Sequence, residues 1–261
     1  MASHTAFAVF AYSLVSSAFA LFNGSEPSEY ILDFPTNDNP LGIRVVSPAN
    51  MNYFMLIGDW GAPSGESTYE GVQQVVANKM KAYYESQKSK GYNLLFVAAV
   101  GDNFYWTGQD CNEWTRAFTN MYGPNLTSVP WLAIMGNHDW GNSDPDALCA
   151  WNKPRYTSPA GIPYAANQLN KDKGGCNPSL YYMPDFAYYY TINELNFELI
   201  GLDENGNDCP NGLGGNGASG GASQLFANCG GSTSVGCGYL NKIKTASENM
   251  LWGRARASSN K

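Results

Sequence analysis

The chain has 261 residues, of which 44% are hydrophobic and 14% charged, and a net charge of −7. This length and apolar content allow one sizeable core or two small ones, and they exclude a disordered chain. The acidic balance argues against nucleic acid and anionic membrane surfaces as partners. An anionic substrate would need local positive charge, which a metal pair can supply.

The first segment is an uncharged run over residues 5–22 that contains Ala18-Phe19-Ala20, a small-residue cleavage signal. Residues 1–20 read as a secretory signal peptide, and a signal anchor is the competing reading because the run approaches membrane-spanning length. Residues 21–50 form a polar, Pro-rich arm, and residues 51–261 read as the folded domain. The six cysteines, Cys111, Cys149, Cys176, Cys209, Cys229 and Cys237, include no Cys-x-x-Cys pair. Behind a signal peptide, an even count without that spacing favours disulfides over zinc. Asn23-Gly24-Ser25 and Asn125-Leu126-Thr127 are glycosylation sequons. Together these features place the mature protein in a secreted, secretory or vacuolar compartment, without stable membrane association once the signal is cleaved.

Within the domain the first strand is the apolar run 53–57, which stops at Gly58-Asp59. Ser67 and Glu70 have capping-box spacing, Val72, Val75, Val76, Met80 and Tyr83 follow at helical spacing, and Gly91 closes the segment. A second strand, 94–100, ends at Gly101-Asp102. A second helix spans 110–122 with Trp114, Phe118 and Met121 inward, and a third strand, 131–135, ends at Gly136-Asn137. Continuous apolar strands alternating with helices predict an α/β fold around a buried, largely parallel sheet. Ligands of such sheets bind beyond the carboxyl ends of the strands, which is where Asp59, Asp102 and Asn137 stand. Tyr188-Tyr189-Tyr190 and the run 196–203 read as a further strand pair. Residues 205–238 read as a Gly-rich, disulfide-pinned insertion, and 239–257 as a closing helix.

A two-metal hydrolytic site needs hard oxygen ligands, one of them shared between the cations. Asp102 is placed to bridge, Tyr105 to bring a phenolate, and Asn137 to offer an amide oxygen. His138 is placed to meet a phosphate oxygen or protonate a leaving group. The motifs Gly58-Asp59-Trp60-Gly61, Gly101-Asp102-Asn103-Phe104-Tyr105 and Gly136-Asn137-His138-Asp139 together resemble the purple acid phosphatases, most closely the small tartrate-resistant type, within the calcineurin-like metallophosphoesterases.

That resemblance implies a four-layer α/β/β/α sandwich. It implies that Asp59, Asp102 and Tyr105 are ligands of a ferric ion, and that Asp102 and Asn137 are ligands of a second iron, zinc or manganese ion. His138 becomes the catalytic residue that meets the substrate phosphate. The implied reaction is attack of a metal-held hydroxide on a phosphate monoester. Asp139 reads as a structural hydrogen-bonding partner rather than a catalyst. The family pattern continues with Val-x-x-His and Gly-His-x-His motifs, whereas this sequence has two histidines, His4 and His138. The expectation is a domain incomplete at its C-terminus, with an incomplete second metal site and weak or no activity. The alternative is a non-catalytic secreted remnant or binding protein on the same scaffold.

Overall fold

A computed structural model describes residues 39–105, 113–140, 168–170, 177–208 and 233–258. The signal segment, most of the Gly-rich insertion and the expected disulfide framework lie outside the described residues.

The elements follow one another as strand β1 (Asn52–Ile57), helix α1 (Ser67–Ser89) and strand β2 (Asn93–Val100), then a π-helical segment, Trp114–Asn120, running into helix α2 (Met121–Thr127). Strand β3 (Trp131–Ile134), the short helix α3 (Asn137–Trp140) and strands β4 (Tyr181–Tyr182), β5 (Tyr188–Ile192) and β6 (Phe197–Gly201) come next, and helix α4 (Thr233–Ser258) closes the chain. Strands β1 to β4 form a parallel sheet in sequence order, and β5 and β6 pair as an antiparallel hairpin. The interior of β2, Leu94 to Ala99, is buried, as its unbroken apolar run requires of a central parallel strand.

Side chains alternate across the sheet and so fix its two faces. Tyr53 of β1 meets Tyr83 of α1, with ring centroids 5.9 Å apart. The next residue, Phe54, faces the other way and contacts Phe197 of β6. On the far side of β6, Glu198 accepts hydrogen bonds from Arg254 of α4, whose guanidinium also lies over the Tyr189 ring. The parallel sheet with its flanking helices is the α/β fold expected from the apolar strands, and the contacts of β6 with Phe54 and with α4 order helices, parallel sheet, hairpin and helix as the α/β/β/α layers that the resemblance implies. The core beneath α1 and α2 is aromatic. Trp131 is in contact with Trp60, Phe118 and Tyr122, at centroid distances from 4.8 to 5.4 Å. None of the described helices is long and apolar enough to cross a membrane.

Two local expectations change. The capping box does not form: α1 begins at Ser67, the Glu66 side chain makes no cap hydrogen bond, and the Glu70 carboxylate is instead drawn to Arg116 at 2.8 Å. A charge-assisted bond to a guanidinium outcompetes a single backbone N–H. Nor is the valine stripe of α1 its buried face. Val72, Val75 and Val76 are exposed, whereas Gln73 and Ala77 are buried. Gln73 faces inward because its amide joins three segments, accepting from the Ala62 N–H at 3.2 Å and donating to the Ala117 carbonyl at 2.8 Å. Strand β4 had no signal in the sequence, being two residues long inside an aromatic stretch.

Candidate metal centre

The register levels the strand ends. Ile57 of β1 lies opposite Ala99 of β2, and Val100 opposite Ile134 of β3. Asp59, Asp102 and Gly136 each follow two residues beyond these rungs. Asp59 and Asp102 both leave their strands in the left-handed region, with φ of 54° and 49°. Asp enters this region more readily than most residues, and such conformations cluster at functional sites. The turns are tied together: the Asp59 N–H donates to Gly101 O at 3.1 Å and the Trp60 N–H to Asp102 O at 3.2 Å.

The carboxylates converge on Tyr105. Its hydroxyl donates to Asp59 Oδ1 at 2.5 Å and lies 2.9 Å from Asp102 Oδ2. Burial, together with these two carboxylates, holds the phenol far above its ordinary pKa. The other oxygen of Asp102, Oδ1, accepts the His138 backbone N–H at 3.0 Å, which places α3 directly over the end of β2. The His138 ring stands 4.5 Å from that of Tyr105. Asn137, the first residue of α3, lines a cavity of about 370 Å³ together with Asp59 and Asp102. The five residues singled out in the sequence, Asp59, Asp102, Tyr105, Asn137 and His138, therefore occupy one end of the parallel sheet.

Asp139 holds this end in shape. It is fully buried and accepts the backbone N–H groups of Asn103, Phe104 and Gly136 and the Gln168 side-chain amide, all at 2.7 to 3.0 Å. Desolvation pushes its carboxyl up to about 7 against the pull of these donors. The Asn103 side chain extends the network, donating to Ile134 O at 2.6 Å and accepting from Trp60 Nε1 at 2.9 Å. Gly136 is required by closeness: a Cβ there would sit 2.1 Å from Asp102 Oδ1 and 2.2 Å from its backbone nitrogen. At Gly61 a Cβ would come within 1.8 Å of Asn103 O, so the first two motifs also interlock through backbone.

Sequence reasoning missed Gln168, Glu204 and Asn205. Gln168 accepts from Tyr181 Oη at 2.8 Å while donating to Asp139, and Glu204 and Asn205 line the same cavity as Asp59, Asp102 and Asn137. No local motif marks these three residues, because they reach the site from segments distant in sequence.

The donor set fits a hard cation. Two carboxylates and a phenol share one hydrogen-bonded centre, an oxygen-rich arrangement suited to a ferric or similar ion in place of the phenolic proton. The second position fits less well. Among the described residues, no group of three His, Cys, Asp or Glu side chains is placed to hold a metal ion. Among the described residues, no Lys or Arg lines either cavity beside the site.

Comparison with known proteins places the chain in a family. A family model described as calcineurin-like phosphoesterase matches residues 53–231. Tartrate-resistant acid phosphatase type 5 of Rattus norvegicus is 27% identical over 104 residues, 38% of this chain and 30% of that protein. The same enzyme of Sus scrofa is 31% identical, covering 36% of this chain and 27% of its own. Purple acid phosphatase 17 of Arabidopsis thaliana is 32% identical, over 37% and 28% respectively. The chain thus spans at most 30% of the length of these relatives. One solved structure, titled "GAP50 the anchor in the inner membrane complex of Plasmodium", overlaps 56% of this chain and 39% of its own at 20% identity, with a TM-score of 0.31 that is too low to bear on the fold. With the family model spanning all three strand-end motifs, the chain belongs to the calcineurin-like phosphoesterase family.

Proposed function

We propose that this protein hydrolyses phosphate monoesters at a dinuclear metal centre, as a purple acid phosphatase-like enzyme of the small tartrate-resistant type. Asp59, Asp102 and Tyr105 hold the first metal, a ferric ion. Asp102 and Asn137 contribute to a second iron, zinc or manganese ion. Bound there, the metals would acidify a water and neutralise charge on the phosphoryl oxygens. The chain's own part is positional. Asp139 fixes the two loops that carry Asp102 and Asn137, and the Asp102–His138 bond sets α3 against the strand end. His138 stands beside the tyrosine to meet the phosphate or the leaving oxygen.

The observation that carries this reading is the convergence of Asp59 and Asp102 on the Tyr105 hydroxyl beside His138. The apolar N-terminal run and the even cysteine count support a secreted or vacuolar location. A non-catalytic scaffold is the second reading. It is favoured by the thin donor set at the second position and by the presence of only two histidines in the chain. The test is hydrolysis of glycerol phosphate by the full chain after incubation with iron, zinc or manganese. Turnover that falls by about a hundredfold or more in Asp102→Asn supports the enzyme. Absence of both turnover and retained metal supports the scaffold.

A further inference from the structure

The turn that carries the sequon Asn125-Leu126-Thr127 lies in the helical layer, away from the metal centre. It is the last turn of α2, set off from the preceding segment by Gly123, whose φ of 69° interrupts the helix. The polar groups around the sequon are used inside the fold. The Thr127 hydroxyl donates to Gly123 O at 2.9 Å, the Ser128 N–H to Pro124 O at 3.0 Å, and the Ser128 hydroxyl to Asn125 O at 3.3 Å. The Trp131 indole N–H donates to Leu126 O at 2.9 Å, and the Leu126 side chain is wholly buried. The Asn125 side chain instead points outward. It is exposed, and its amide donates to the Glu85 carboxylate of α1 at the surface. Water competes for such a bond, so it contributes little to stability and does not account for an asparagine here.

We propose that Asn125 is a modification site, which receives an N-linked oligosaccharide as the chain enters the secretory route. The proposal rests on the secretory location proposed above and is independent of the phosphatase activity. The donor is a lipid pyrophosphate-linked oligosaccharide. The bond from the sugar's anomeric carbon to pyrophosphate breaks, a bond from that carbon to Asn125 Nδ2 forms, and the amide gives up one proton. The transferring enzyme reads the asparagine together with the hydroxyl two residues on. In the folded turn that hydroxyl is committed to Gly123 and Leu126 is committed to the core, so attachment precedes the closing of α2. Once the turn has closed, the Asn125 nitrogen stays at the surface, where the glycan replaces the bond to Glu85 without disturbing a buried group. The position also keeps the metal centre clear. The turn leads into the start of β3 at Trp131, whereas the proposed ligands stand beyond the other end of that strand, about 13 Å away at roughly 3.3 Å per residue.

The test translates the full chain in the presence of endoplasmic reticulum vesicles and follows two readouts. Protection from added protease reports entry into the vesicle lumen, and a mobility shift removed by endoglycosidase H reports a glycan. Asn23→Gln, which silences the other sequon, should keep an endoglycosidase-sensitive shift. Adding Asn125→Gln or Thr127→Ala to it should abolish that shift. Adding Thr127→Ser, which returns a hydroxyl to the sequon, should preserve it. Because transfer precedes folding, a variant that fails to fold still reports its glycan. A chain that is protected from protease but unshifted in Asn23→Gln would overturn the modification and leave the secretory location standing, and so would a shift that survives Asn23→Gln/Asn125→Gln. A chain that stays open to protease would overturn both.

Discussion

Replacing Gly136 by Ala perturbs the point at which the second and third motifs touch. The added Cβ would meet Asp102 Oδ1 at 2.1 Å, its backbone nitrogen at 2.2 Å and its Cγ at 2.8 Å. Relief requires a displacement of roughly 1.4 Å or more to reach ordinary contact at about 3.5 Å. The carboxylate cannot swing away freely, because Oδ1 holds the His138 N–H and Oδ2 lies against the Tyr105 hydroxyl. The ends of β2 and β3 must therefore separate, at a cost of about 1–3 kcal/mol for overpacking, offset by roughly 0.5 kcal/mol from the stiffer unfolded chain. A net loss near 1.5 kcal/mol lowers the melting temperature by about 3–6 °C for a domain of this size. Because the shift falls on a proposed ligand position, metal affinity should weaken by about tenfold or more, which a manganese or ferric titration by calorimetry measures alongside the melt. A variant that melts within a degree of wild type and binds metal equally would refute the close packing of these turns.

The remaining predictions concern the supports of the site. Asp139→Ala orphans three buried backbone donors and the Gln168 amide. At about 1–3 kcal/mol per unsatisfied group, less what is regained by no longer burying a carboxyl, it should lose about 3 kcal/mol or more in denaturant unfolding. Asp139→Asn, which keeps one acceptor oxygen, should lose less. Burial pushes the Glu204 carboxyl up to about 7, opposed by Lys244 at 3.9 Å. A carboxyl whose pKa is raised on folding stabilises the folded state most below its ordinary value of 4.5 and loses that contribution as pH rises through 7. Melting temperatures measured from pH 4 to 8 should therefore decline more steeply in wild type than in Glu204→Gln, and parallel curves would remove Glu204 as the cause.

Much of this molecule is legible in its sequence, for reasons that differ by element. The strands β1, β2 and β3 are apolar runs, and each is followed by a Gly-Asp or Gly-Asn pair that marks both the turn and the proposed ligand position. Once the strands are parallel, register alone brings those pairs level. Asp139 was legible as a hydrogen-bonding partner because it is the last residue of the third motif. The orientation of α1 was not, because apolar spacing marks a stripe without saying whether it faces the core. Gln73 decides that through bonds to Ala62 and Ala117, whose positions depend on the tertiary fold. Strand β4 is too short to show a period, and Gln168 and Glu204 carry no local signature.

The most direct test of the metal centre is optical. Ferric ion added to the purified chain should produce the visible charge-transfer band of a tyrosinate–iron bond, since Tyr105 already meets Asp59 and Asp102 at one point. The band should be lost in Tyr105→Phe and weakened in Asp59→Asn, while both variants remain folded by circular dichroism. A colourless chain, or a band that survives Tyr105→Phe, would contradict the assignment of these residues as ligands.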